Sequence, residues 1–206
     1  MLKKPLSGSG FTLIELITTL TIAGILTAIA VPTFNSVISS NRLTAYTNEF
    51  VTALNLARSE AIKRGRKVTI IRKGNVDNAW ENGWDVFIDS DNNNTLNKDD
   101  GDANLCEAPG GTATEDCSLR TYSELPTGFT LRSNNNIPKT ISFSAMGKSV
   151  NGTLILCDTN RSKPDRLKTA KVIIITTTGR VRMGIDPDKD GIPNDPNGIE
   201  IDKCTQ

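Results

Sequence analysis

Apolar residues crowd into one early run and then break up into short alternating bursts. From Leu16 to Phe34, nineteen residues carry no charge, about the length an α-helix needs to cross a bilayer. Beyond that run the pattern becomes a stripe. Leu43, Tyr46, Phe50, Leu54, Ala57 and Ala61 recur at intervals of three and four, which marks one face of an amphipathic helix. Gly65 ends the pattern, and Lys63 and Arg64 stand where they suit the negative end of a helix dipole. The spacing predicts one long helix from about Thr12 to Arg64, its outer half laid on a β domain.

The period then shortens to two. Residues 67–72, 84–88, 129–132, 140–143, 153–156 and 172–175 read as strands, separated by turns rich in Asn, Gly, Pro and Asp. The expected fold class is α+β: a long N-terminal helix, half of it transmembrane, packed on an antiparallel β-sheet or β-sandwich. The chain divides into a basic leader (1–10), the apolar half-helix (11–34), the amphipathic half-helix (35–65) and a β domain (66–206). Within that domain lie an acidic insertion (89–117) and an acidic tail (184–206).

Composition removes several functions. The 206 residues include no histidine, which excludes His-based triads, imidazole metal sites and the commonest general base near neutral pH. Aromatics at 5% are too few for a stacking platform for single-stranded nucleic acid. No enzyme is expected. The net charge of +1 conceals segregation: Gly74–Ser118 has eleven acids against one base, whereas Thr159–Arg182 has seven bases against one acid. Such asymmetry suits a surface that faces a polyanion.

The leader MLKKPLSGSG carries Lys3 and Lys4, which the positive-inside rule keeps cytoplasmic. A secretory signal would have a shorter apolar core followed by a small-residue cleavage site, and neither is present. Glu15, the only charge at the head of the apolar run, is costly in a membrane unless it finds a partner. A neighbouring subunit could supply one.

Gly10-Phe11-Thr12-Leu13-Ile14-Glu15 resembles the class III leader junction of type IV pilins and pseudopilins. The resemblance implies cleavage after Gly10 by a prepilin peptidase and methylation of Phe11. It also implies assembly with other pilin or pseudopilin subunits, Glu15 neutralising a neighbour's N-terminal amine. Pro32 falls where such proteins often carry a kinking proline. The expected location is the inner membrane, single-pass, with the globular domain in the periplasm, and later a pilus or pseudopilus fibre.

Cys106, Cys117, Cys157 and Cys204 include no C-x-x-C pair, and without histidine they make a poor metal set. Outside the cytoplasm disulfides persist, and four cysteines allow three pairings. Proximity and the pilin-like resemblance favour Cys106–Cys117 with Cys157–Cys204.

GWDVFID at 83–89, TLILCD at 153–158 and IIITTTGRVR at 173–182 narrow the resemblance to the GspH/FimT group of minor pilins and pseudopilins. Arg180 and Arg182, two apart on a strand, project to one face beside the turn that TTTG makes. Their guanidiniums suit phosphates. Gly179-Arg180-Val181-Arg182 resembles the GRxR pattern with which FimT minor pilins bind DNA during natural transformation. Arg161, Lys163, Arg166, Lys168 and Lys171 are auxiliary candidates for such a track. The alternatives are a GspH-like pseudopilin of type II secretion that binds no DNA, and a pilin-like adhesin presenting the Cys106–Cys117 loop.

Asp89-x-Asp91-x-Asn93, with Thr95, Asn97 and Asp100, resembles a calcium loop. It has Asn94 where glycine is wanted and Asp100 where a bidentate Glu is usual. Asp186-x-Asp188-x-Asp190-Gly191 opens better, but Asn197 holds its twelfth position. Such clusters are more often plain turns. No resident cofactor or metal is expected, with calcium at either segment as the alternative.

Overall fold

The computed structural model describes residues 10–97, 116–134, 136–161, 165–199, 201 and 204. Residues 1–41 and 42–206 form two units. Helix α1 (Leu13–Arg64) begins in the first and ends in the second. In the first unit an 18-residue window of α1 has a mean hydropathy of 2.0, and none of it is buried against protein. Leu16, Leu20, Ile25 and Ile29 are all exposed, as residues facing lipid would be.

In the second unit the predicted stripe is the buried face of α1. Leu43, Phe50, Ala53, Leu54, Ala57 and Ala61 are all buried. Phe50 meets Trp80 and Trp84 edge-on at 5.7 and 4.8 Å, and Tyr46 meets Phe129 at 5.1 Å. Burying one such ring stabilises the fold by about 1.5–3 kcal/mol. Gly65, at φ 63°, closes the helix in a Schellman motif. Its N–H donates to the Ile62 carbonyl at 3.4 Å, and the Arg66 N–H to the Ala61 carbonyl at 3.3 Å. A non-glycine side chain would meet steric resistance in that left-handed conformation.

Two four-stranded antiparallel sheets follow. The first has the order β3-β2-β1-β5, from β1 (Val68–Arg72), β2 (Trp84–Ile88), β3 (Cys117–Tyr122) and β5 (Thr140–Phe143). The second has the order β4-β6-β7-β8, from β4 (Phe129–Ser133), β6 (Gly152–Asp158), β7 (Lys171–Ile175) and β8 (Val181–Met183). Alternate residues of both sheets, among them Ile70, Val86, Ile141, Leu131, Leu154 and Ile173, share one core with α1. This is the expected α+β arrangement, with two sheets. Strand β3 was not foreseen; its register shifts between Val86 and Phe87 of β2, and that irregularity hides the two-residue period. The short helix α2 (Asp165–Thr169) was likewise not foreseen.

A second core lies on the other face of the second sheet. Ile155, Cys157, Val172 and Ile174 are covered there by Ala170, Ile201 and Cys204, with Leu167 and Ile192 packed against them. Cys157 is bonded to Cys204, 47 residues on, which fastens the tail over the sheet. Strand β6, with both faces covered, is buried at all seven positions. Cys117 is also disulfide-bonded. Cys106, and with it the Cys106–Cys117 pairing, lies outside the described residues.

Candidate functional site

The β7–β8 hairpin is closed by its own threonines. The Gly179 N–H donates to the Thr176 carbonyl at 2.8 Å, and the Thr176 N–H to the Arg180 carbonyl at 3.0 Å. The Arg180 N–H donates to Thr176 Oγ1 at 3.2 Å, and the Thr176 and Thr178 hydroxyls are 2.9 Å apart. Arg58 of α1 braces the turn from outside: its Nε donates to the Gly147 carbonyl at 3.2 Å and a terminal nitrogen to the Thr178 carbonyl at 3.3 Å. Arg58 and Thr178 were not among the sequence candidates, and 120 residues separate them.

Arg180 and Arg182 are exposed on this hairpin. Arg182 pairs with Ile174 in the register of β8 on β7, and β8 is an outer strand. Two residues along a strand span about 6.6 Å. Among the described residues neither arginine forms an ion pair. Arg182 borders a depression of about 500 Å³ that Asp195 of the tail also lines. That carboxylate is occupied by its own turn, accepting from the N–H groups of Asn197 and Ile199 at 2.8 and 2.9 Å.

The auxiliary residues divide. Arg161 pairs with Asp158 at 3.0 Å. Arg166 donates to the carbonyls of Arg161 and Thr159 at 3.1 and 2.9 Å. Both guanidiniums thus hold the β6–α2 connection together. Lys163 lies outside the described residues. Lys168 is exposed and Lys171 half-buried, and the two border a smaller depression with Met183 and Asp186. Arg182, opposite Ile174, lies on the face of the second core, whereas Lys171, in step with Ile173 and Ile175, belongs to the other face of the sheet.

At the N-terminus, Gly10 and Phe11 precede the first helical residue and are exposed. Glu15 has a partner within its own chain. Its Oε2 accepts from the Thr12 N–H at 2.9 Å and the Thr12 hydroxyl at 2.7 Å, and the Glu15 N–H donates to Thr12 Oγ1 at 3.3 Å. This is a capping box. The Thr-x-x-Glu spacing at 12–15 is its signal in the sequence.

Two carboxylate groups gather elsewhere. Asp89, Asp91 and Asp116 bring one oxygen each within 4.8 Å of the others, as do Asp186, Asp188 and Asp190. Asp89 and Asp116 are buried and Asp91 is exposed. Burial pushes the Asp116 carboxyl up, and the charges of Asp91 and Asp89 act the same way. The N–H groups of Asn97 and Ser90 oppose them. In the tail group Asp186 is half-buried, and the other two are exposed. Asp99 and Asp100 lie outside the described residues.

The family described as "Type II transport protein GspH" matches residues 46–179. Among solved structures, the chain is similar to the type IV minor pilin FimU of Pseudomonas aeruginosa at 18% identity. That alignment covers 80% of this chain and 96% of FimU, with a TM-score of 0.50. It is also similar to the minor pseudopilin EpsH of the Type 2 Secretion System of Vibrio cholerae, at 16% identity, 72% and 99% coverage and a TM-score of 0.45. No curated protein matches the chain with significance.

Proposed function

The chain belongs to the GspH family, and on that premise we propose that it is a minor pilin of a type IV pilus that binds DNA through Arg180 and Arg182. It is a pilin- or pseudopilin-like subunit, and its relatives are structural subunits, not enzymes. A prepilin peptidase cuts between Gly10 and Phe11, and Glu15 guides assembly with other subunits. The apolar half of α1 anchors the chain in the inner membrane with the β unit in the periplasm.

One observation carries the DNA reading. Two exposed arginines without ion-pair partners among the described residues stand two residues apart on a hairpin braced by Arg58. Guanidiniums held this way meet phosphate oxygens without first breaking internal bonds. Recognition is by backbone charge and independent of sequence. Of the auxiliary cations Lys168 stays exposed, whereas Arg161 and Arg166 are spent on internal contacts.

The test is a gel-shift titration of a fragment beginning near Ser39 with duplex DNA at two salt concentrations. Binding should weaken with salt. Arg180→Gln/Arg182→Gln should abolish it or lower the salt slope by about two. Absence of binding at low salt would overturn the reading. The second reading would then stand: a pseudopilin of type II secretion that binds no DNA, which the family's own description favours. Neighbouring pilus genes or secretion genes would separate the two.

A further inference from the structure

The ends of β2 and β3 bring two buried carboxylates face to face. Ile88 pairs with Cys117 in the register of these strands, so the next step outward sets Asp89 across from Asp116. Like charges opposite each other on neighbouring strands are destabilising, and burial removes the water that would screen them. Asp89 is 2% exposed and Asp116 0%. Asp91 adds a third carboxylate oxygen within 4.8 Å of both.

Donors satisfy only part of this group. Asp116 accepts from the N–H groups of Ser90 and Asn97, both at 2.9 Å. Asp89 Oδ2 accepts from Thr69 Oγ1 at 3.0 Å and the Asn94 N–H at 3.1 Å, and Lys67 Nζ stands 2.9 Å away. The other oxygen of Asp89, Oδ1, is buried and accepts no hydrogen bond among the described residues. A buried carboxylate oxygen without a donor is costly, because nothing replaces the water it has lost. The atom can only accept, so what it lacks is a cation or a donor. Among the described residues, three carboxylates face the one ammonium of Lys67.

We propose that Asp89, Asp91 and Asp116 hold a divalent cation of the calcium class at the junction of β2 and β3. The ligands are all hard oxygens, which suits calcium or magnesium and disfavours zinc. Their irregular arrangement around a loop favours calcium, because magnesium demands a near-ideal octahedron. Asn94, the apparent defect in the sequence motif, has φ 61°, the left-handed turn that glycine makes in calcium loops and that asparagine tolerates. The closing carboxylate comes from Asp116, 25 residues beyond Asp91, not from a position inside the same loop. Asp89 and Ser90 also border an open depression of about 710 Å³, which gives an ion a route to the site.

The experiment uses the full chain in detergent micelles, stripped with chelator and then titrated with calcium chloride or magnesium chloride by calorimetry, with parallel thermal melts. The expected result is one calcium site with Kd of about 10⁻³ M or tighter. At calcium about one hundred times Kd, Tm should rise by about 5–10 °C. Asp91→Ala removes an exposed carboxylate that accepts from Asn93 and Asn97 within its own loop; it should weaken calcium binding at least about tenfold and remove the Tm shift, and the melt without calcium checks that the fold is kept. Asp188→Ala, in the tail group, should change neither. Absence of heat and of any Tm shift in millimolar calcium would overturn the proposal. So would undiminished binding by Asp91→Ala, loss of binding in Asp188→Ala, or a response to magnesium alone.

Discussion

Gly179 lies directly against the carbonyl oxygen of Gly147: a Cβ built on Gly179 would stand 1.9 Å from it. Its φ of 72° is itself one that side chains resist. The β7–β8 turn and the Gly147 turn therefore touch backbone to backbone, with Arg58 bonded to both. Gly179→Ala should cost more than about 2 kcal/mol of stability and displace the hairpin that carries Arg180 and Arg182. Urea denaturation of the fragment from Ser39 measures the first effect. Amide chemical shifts of Arg180–Met183 measure the second, and unchanged shifts would show that the close contact does not set the hairpin's place.

The Cys157–Cys204 bond closes a long loop and holds Ile201 over the outer face of the second sheet. Cys204→Ser should lower stability by about 2–4 kcal/mol and uncover Val172 and Ile174, which a dye selective for exposed apolar surface would report. If the variant melts with the wild type and binds no more dye, the tail is not fastened by this bond.

Glu15 has a bond to make inside its own helix and, on the proposed reading, a charge to offer a neighbour. The two roles separate by mutation. Glu15→Ala should leave cleavage at Gly10–Phe11 intact and impair incorporation into fibres. Thr12→Val removes the hydroxyl from the capping box but keeps the carboxylate, and incorporation should survive. Equal loss in both variants, read by immunoblotting of sheared fibres, would assign Glu15 to capping alone.

The helix and most strands were legible because their apolar positions keep a strict period: Leu43 to Ala61 in threes and fours, Thr140–Phe143 and Phe129–Ser133 by alternation. Cys117–Tyr122 escaped because it is an outer strand with a register shift against β2, and its polar residues need no second face. Arg161 and Arg166 read as solvent-facing cations, although Asp158 stands three residues before Arg161 and signals its partner. Nothing local could have joined Asp89 to Asp116 or Arg58 to Thr178. Those meetings are consequences of strand order and of where the helix crosses the sheets.

Strand β8 has three residues and stands outermost in its sheet. An outer strand presents unpaired backbone groups, and in the fibre of the proposed reading similar strands of other subunits would lie within reach. Unwanted pairing there would zip subunits together sheet to sheet and jam assembly. Brevity and two cations along that margin discourage this, since a second copy brings the same charges. On that reading the arginines proposed to seize phosphate would also act as a spacer, keeping the subunit from joining its neighbours by the wrong edge.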